Sequence, residues 1–368
     1  MSTFRDEIGE QPAVARRLLA EARRPVAEAA DRLRAEQPAG FVIAARGSSD
    51  HAALYAKYLF GRRNRMLVSL AAPSLFTHYA APPRLAGHCV IGISQSGASP
   101  DVIAVLEEAH RQGAPTLAIT NDPDSRLAAA ADLVIALGAG SERSVPASKT
   151  YTASVLALAM LSQALDPEPS LAAALERVPA ALEDALRRDL ELDRLAPVLS
   201  GPRAVVLGRG FNLSTAEEIA LKLTETSYLL ARAWSVADFE HGPIALVENG
   251  FPVLLAGATG PVERDLEGIA ARLAEYGCRV VGLFDGRALS LPPAQTVVID
   301  SGLPEELSPL PLAVLGQLLA HRVALARGVD PDRPRALHKV TRALAGPRHR
   351  RLQESCPPGR WRAGRGRG

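Results

Sequence analysis

The chain has 368 residues, of which 47% are hydrophobic and 22% charged, so it is long enough for two or three folded domains and is not disordered as a whole. No run approaches the roughly 20 uninterrupted apolar residues of a membrane helix, and the N-terminus lacks the apolar core of a signal peptide, which predicts a cytoplasmic protein without a membrane partner. Three widely spaced cysteines, Cys89, Cys278 and Cys356, favour neither a disulfide framework nor a thiolate metal site.

The first 38 residues are predicted to be a helical segment, because residues 11–36 have an amphipathic helical pattern that is interrupted near Pro25. Beyond this segment, short apolar runs alternate with helical stretches, which is typical of parallel βα units. This second region, residues 39–165, is predicted to be one domain. Its predicted strands cover residues 41–45, 89–93, 116–119 and 133–137.

The same alternation returns at an offset of about 160 residues, where residues 204–208, 252–256 and 279–283 match the first three strands. We therefore predict an α/β protein with two similar doubly wound, flavodoxin-like parallel-sheet domains related by internal duplication. The second domain is assigned to residues 199–330. A helical linker, residues 166–198, precedes it and is interrupted around residues 166–169.

The chain ends in a short Pro-bounded segment, residues 331–345, and a basic tail, residues 346–368, which is predicted to be disordered. From Pro347 onward there are seven arginines against one glutamate, whereas the net charge of the whole chain is only +2. A nucleic acid partner would depend on the tail alone, and we expect none.

Lysine is rare in this chain. Of 42 basic residues, four are lysines: Lys57, Lys149, Lys222 and Lys339. Arginine cannot lose its proton at working pH or form a Schiff base, whereas lysine can do both. The lysines are therefore candidates for amine chemistry, although some of them can be ordinary cations.

Residues 94–99, Ser-Gln-Ser-Gly-Ala-Ser, lie between a predicted buried strand and a predicted helix. Backbone N–H groups and the helix dipole attract phosphate at such a place, Gly97 permits close approach of the backbone, and the serine hydroxyls donate hydrogen bonds. Ser48 and Ser49 stand at the end of the preceding strand and would close the other side of this anion cradle. An ordinary helix cap is the alternative.

The segment Gly208-Arg209-Gly210 begins like a dinucleotide-binding fingerprint, but Leu213 stands at the third glycine. No nucleotide cofactor is expected. We also predict no metal.

Glu218, Lys222 and Glu225 recur at helical spacing, so they project from one helix face. An exposed salt-bridged stripe is one interpretation, but the apolar neighbours Ile219 and Leu223 favour partial burial. His241 falls in a predicted turn, where a histidine is either solvated or functional.

Four motifs, in this order along the chain, resemble the sugar isomerase (SIS) family. They are Ser94-Gln95-Ser96-Gly97, residues 218–228 with Lys222 and Glu225, Glu240-His241-Gly242-Pro243, and residues 334–339 with Arg335 and Lys339. The likeness covers nearly the whole chain. It is to the isomerase half of glucosamine-6-phosphate synthase and to stand-alone amino-sugar-phosphate deaminases built on the same two domains.

The resemblance implies a sugar 6-phosphate as the partner. It places the phosphate among Ser49, Ser94, Gln95, Ser96 and Ser99, with Ser48 beside them. It assigns supporting polar roles to Glu218, Lys222 and Arg335.

The resemblance also implies the chemical groups. Glu225 matches a carboxylate that moves a proton between C1 and C2 of the sugar, and Lys339 matches a lysine that can form a Schiff base with the open-chain form. His241 matches a ring-opening histidine that the neighbouring subunit supplies, which implies a homodimer with shared active sites.

The resemblance thus implies an enzyme, and we predict an isomerase/deaminase that converts glucosamine 6-phosphate and water to fructose 6-phosphate and ammonia. No glutaminase domain is expected, because no cysteine stands beside Met1. Without such a nitrogen donor, hydrolysis is the simpler direction of the reaction. Ala98 stands where the synthases usually carry glutamate. The alternatives are a ketoamine 6-phosphate deglycase, an enzyme that eliminates from an N-acetylhexosamine 6-phosphate, and a non-enzymatic sugar-phosphate-binding regulatory protein.

Overall fold

The computed structural model describes residues 2–287, 289–335 and 339. The predicted basic tail, residues 346–368, lies outside the described residues, as does most of the segment 331–345. The described chain begins with three helices: α1 (Thr3–Gly9), α2 (Gln11–Glu21) and α3 (Arg23–Glu36). The break between α2 and α3 falls at Ala22, and Pro25 lies within the first turn of α3, where its missing N–H costs no helical hydrogen bond.

A parallel five-stranded sheet follows, in the order β2-β1-β3-β4-β5. Its strands are β1 (Gly40–Ala44), β2 (Leu67–Leu70), β3 (Cys89–Ser94), β4 (Thr116–Thr120) and β5 (Leu133–Ala136). The helices between and after them are α4 (Ser48–Arg63), α5 (Ser74–Thr77), α6 (Pro100–Arg111) and α7 (Arg126–Ala129). Four of these strands were expected from the sequence, and β2, a short edge strand, was not.

Two long helices lead to the second sheet, and they are α8 (Lys149–Leu165) and α9 (Pro169–Arg187). The predicted interruption around residues 166–169 is present, since α9 begins at Pro169. Two 3-10 turns, Asp189–Arg194 and Ala196–Leu199, complete this region.

The second sheet is also parallel and five-stranded, in the order β7-β6-β8-β9-β10. Its strands are β6 (Arg203–Gly208), β7 (Leu230–Ser235), β8 (Pro252–Ala258), β9 (Arg279–Asp285) and β10 (Thr296–Ile299). Its helices are α10 (Asn212–Ser227), α11 (Val236–Glu240), α12 (Glu263–Glu275) and α13 (Pro309–Ala326). Strand for strand, this order equals that of the first sheet. Two parallel sheets are therefore confirmed, whereas their origin by internal duplication stays a prediction.

The inner faces of the two sheets share one hydrophobic core. Alternate residues of each strand point to opposite faces, so Ile91 and Val206 join this shared core while Val90 and Val205 join two separate outer clusters. Helices α4, α8, α10 and α13 fill the space between the sheets. The stretch Glu305–Ala326, which includes α13, is apolar and long enough to cross a membrane by composition alone, but 83% of its apolar 18-residue window is buried, as in a core helix.

Candidate active site

An open pocket of about 380 Å³ lies beyond the carboxyl ends of β1 and β3. Strand β1 pairs with β2 on one side and with β3 on the other, so the chain connections diverge there and leave a crevice. Nine of the twelve site residues expected from the sequence line this pocket: Ser48, Ser49, Ser94, Gln95, Ser96, Ser99, Lys222, Glu225 and Lys339.

The anion cradle lies at the N-terminus of α6. Gly97 has φ +59°, and a Cβ there would lie 2.0 Å from the Ser125 hydroxyl, so only glycine fits the turn. The Ser94 and Ser99 hydroxyl oxygens are 3.4 Å apart. The Ser96 hydroxyl accepts a backbone N–H at 3.3 Å and keeps its own hydrogen to donate. Three serine hydroxyls therefore line one place at the N-terminus of α6, where a phosphate can accept hydrogen bonds.

Helix α10 brings a buried lysine to the other side of the pocket. Lys222 Nζ lies 2.6 Å from Glu225 Oε2 and 3.5 Å from Glu218 Oε1, and its side chain is 1% exposed. Burial opposes the charge of Lys222, but the two carboxylates outweigh burial and raise its pKa, so it stays an ammonium. Glu225, which faces the pocket, therefore lies next to the fixed positive charge of Lys222.

Glu218 lies behind the pocket rather than in its lining. Its Oε1 accepts the Ser48 hydroxyl at 3.0 Å, and its Oε2 lies 2.8 Å from His51 Nδ1. Both carboxylate oxygens are therefore engaged by neighbours. Glu218 ties α4 to α10, and so holds the two halves of the pocket together.

Lys339 reaches the pocket from the C-terminal segment. Its Nζ donates to Glu142 Oε2 at 2.9 Å, and the Glu142 side chain is fully buried. Burial opposes the charge of Glu142, but the Lys339 ammonium and the hydrogen bonds from Ser148 and Thr150 lower its pKa. The amine of Lys339 is thus held at a defined point beside the cradle.

The other two lysines differ from these. The Lys149 side chain is buried, and its Nζ donates to Glu10 Oε2 at 2.6 Å and to the Ser141 carbonyl at 2.7 Å. It therefore fixes the loop between β5 and α8 against the N-terminal helices. Lys57 is exposed on α4. Neither lysine lines the pocket.

His241 and Arg335 do not line the pocket within this chain. His241 follows α11 and is exposed. The Arg335 guanidinium stacks over the ring of Tyr228, 4.6 Å from its centroid, and the backbone N–H of Arg335 donates to the Tyr228 hydroxyl at 2.8 Å. Their predicted roles in the site stay predictions.

Several pocket residues were not expected from the sequence. They are Arg46, Asp101, Val145, Ala147, Thr150 and Tyr151. Glu142, behind Lys339, was also missed. One sequence signal could have predicted that this region contributes to the site. It is the polar run Ser148-Lys149-Thr150 around the start of α8, which contains one of only four lysines. Within the part of the chain that the structure describes, no group of three or more His, Cys, Asp or Glu side chains is arranged to hold a metal ion.

Comparison with known proteins gives the class of the molecule. The model of the SIS domain matches residues 39–164. A glutamine–fructose-6-phosphate aminotransferase (isomerizing) from Thermococcus kodakarensis is 35% identical over 308 residues, which are 81% of this chain and 51% of that protein. The chain thus spans about half the length of the curated relatives it matches.

Solved structures agree with this class over most of the chain. A protein of Silicibacter pomeroyi DSS-3, described as a candidate phosphosugar isomerase, superposes with a TM-score of 0.82 at 36% identity over 90% of this chain and 100% of that one. A glucosamine-6-phosphate deaminase from Thermotoga maritima shares the fold with a TM-score of 0.73 at 21% identity, over 93% of this chain and 100% of its own. The chain belongs to the SIS family of sugar-phosphate isomerases.

Proposed function

We propose that the chain is a cytoplasmic amino-sugar-phosphate isomerase/deaminase that converts glucosamine 6-phosphate and water to fructose 6-phosphate and ammonia. One observation carries the proposal: a single pocket joins an anion cradle to a carboxylate, Glu225, and to an amine, Lys339. A phosphate fixed at C6 orients the sugar so that C1 and C2 meet these two groups. The shared fold of the Thermotoga maritima deaminase is consistent with this assignment.

We assign the following steps to these groups. In the open-chain aldose, Glu225 removes the proton from C2 and returns it to C1, while the C1 oxygen gains a proton and the amino nitrogen loses one, which converts the amino aldehyde into a C1 alcohol with an imine at C2. The imine nitrogen takes up a proton from the Lys339 ammonium, the neutral amine attacks C2, and ammonia leaves, so that a protonated lysine imine forms. Water hydrolyses this imine to the ketose and frees the lysine. The sum consumes one water and releases one ammonia.

Ring opening requires a further acid/base group, which we assign to His241 of a second subunit. The exposed position of His241, outside the pocket of its own chain, supports a homodimer with shared sites.

The reaction is tested with a panel of substrates. Glucosamine 6-phosphate, a ketoamine 6-phosphate and an N-acetylhexosamine 6-phosphate are each incubated with the enzyme, and ammonia and sugar products are measured. We expect ammonia and fructose 6-phosphate from the first substrate alone. Release of a free amine from the ketoamine, or elimination from the N-acetylated sugar, without ammonia from glucosamine 6-phosphate, would replace the proposed reaction by the corresponding alternative. Binding without turnover of any substrate would indicate a sensor.

Removing the hydroxyls of Ser94 and Ser96 together is expected to weaken binding of fructose 6-phosphate at least about tenfold, because each hydrogen bond to a charged group contributes roughly 1.5–3 kcal/mol. Isothermal titration of Ser94→Ala/Ser96→Ala measures this loss. Ser69→Ala, an exposed serine on β2 of the same sheet, is the control and should bind normally. Unchanged affinity in the double variant would place the phosphate elsewhere.

A further inference from the structure

We propose that Arg46 is a direct ligand of the substrate phosphate and that Asp101 positions it there, an inference that rests on the proposed sugar-phosphate site. Arg46 follows β1 and lines the same pocket as the serines of the cradle. Its Nε and Nη2 both lie 2.6 Å from Asp101 Oδ2. A guanidinium has five N–H donors, so most of them stay free for a ligand. The Arg46 side chain is 56% exposed, which leaves that edge open.

The charges around the pocket explain why such a contact is needed. A phosphate ester carries a charge of about −1.5 to −2 at pH 7, whereas the cradle itself offers only neutral hydroxyl and N–H donors. Among the described residues that line the pocket, the other two cations are also paired with carboxylates, Lys222 with Glu225 and Lys339 with Glu142, but their side chains are only 1% and 23% exposed. Asp101, in the first turn of α6, places a negative charge beside the cradle. Arg46 offsets that charge and adds donors of its own.

The second half of the chain holds a matching ion pair without a cradle. Arg209 follows β6, and its Nε lies 2.8 Å from Oδ2 of Asp265, which lies in the first turn of α12. In the second half, the Glu305 carboxylate occupies the corresponding crevice. It lies so close to Gly260 that a Cβ on this glycine would be only 2.6 Å from Glu305 Oε2. An arginine–aspartate pair at this position is therefore common to both halves, but only Arg46 joins it to an open, hydroxyl-lined pocket. Arg209 is a natural control.

The alternative interpretation is that Arg46 only neutralises the negative charge of Asp101. A double-mutant cycle separates the two. If Arg46 binds phosphate directly, its loss lowers the affinity for phosphate, and removing Asp101 as well does not restore that affinity. If Arg46 only cancels the aspartate, removing both charges together leaves the affinity intact.

The experiment is isothermal titration with fructose 6-phosphate and with inorganic phosphate. It uses Arg46→Gln, Asp101→Asn, the double variant and Arg209→Gln, with thermal unfolding to show that each is folded. We expect Arg46→Gln to bind both probes about ten- to a hundredfold more weakly, the double variant to remain as weak, and Arg209→Gln to match the wild type. Arg46→Lys keeps the charge but not the planar fork, so its affinity should lie between those of the wild type and Arg46→Gln.

Three results would overturn the inference: wild-type affinity in Arg46→Gln, recovery of wild-type affinity in the double variant, or an equal loss in Arg209→Gln. A wild-type protein that binds neither probe would overturn the proposed function together with this inference. A wild type that binds both probes, with Arg46→Gln unchanged, would overturn this inference alone.

Discussion

Lys339→Arg is expected to lower turnover of glucosamine 6-phosphate by about a hundredfold or more, while binding of a sugar-alcohol 6-phosphate barely changes. Arginine preserves the positive charge, so it can still pair with buried Glu142, 2.9 Å away in the native protein. It cannot condense with a carbonyl. The substitution therefore removes the covalent step and keeps the ion pair. Steady-state kinetics and titration of the sugar alcohol measure the two effects separately.

Lys57→Arg is the matched control, because Lys57 is exposed on α4 and does not line the pocket. Borohydride added during turnover should attach one reduced hexose phosphate to the peptide that contains Lys339 in the wild type. No adduct, together with a fully active Lys339→Arg enzyme, would reduce Lys339 to a binding role. Glu225 and His241 would then be the only chemical groups of the proposed mechanism.

Glu225→Gln is expected to lower kcat by about a hundred- to ten-thousandfold, the usual contribution of a general base, with little loss of affinity for fructose 6-phosphate. The amide still accepts a hydrogen bond from Lys222, which lies 2.6 Å from Glu225 in the native protein, but it cannot take a proton. Glu217→Gln, on the same helix but outside the pocket, is the control and should stay active. Near-normal kcat in Glu225→Gln would assign the proton transfer to another group.

The Glu225 variant also tests the shared site. Mixed dimers of Glu225→Gln and His241→Ala should regain activity, since one of their two sites then contains both native groups. If light scattering finds a monomer and kinetics show that this monomer is fully active, no partner histidine is needed.

The sequence pattern predicted strands with continuous apolar runs, including β5, which is mostly half-buried, but it missed β10, which is mostly buried. Strand β3 is buried at every position and stood out as an apolar run. Strand β2, at the sheet edge, alternates between exposed and half-buried residues, and β7 begins with Leu230 at 73% exposure, so neither has the continuous apolar run of an inner strand.

The site divides in a similar way. The cradle and the face of α10 are each continuous in sequence, so local patterns predicted an anion cradle and a common helix face, whereas the resemblance to the SIS family predicted that both belong to one site. The Glu142–Lys339 pair joins residues 197 positions apart, and Arg46 meets Asp101 across 55 positions. No local pattern encodes such contacts, because they depend on how the loops come together at the edge of the sheet.

The hydrophobic layer between the two sheets has a thermodynamic consequence. The SIS model covers residues 39–164, which contain α4 and most of α8, yet these helices bury part of their apolar surface against α10 and α13 from the second half. Cutting the chain between the halves would expose that surface to water at a cost that scales with its area. We therefore expect the cooperative unit of unfolding to include both sheets and the helices between them, and so to be larger than the recognised sequence domain.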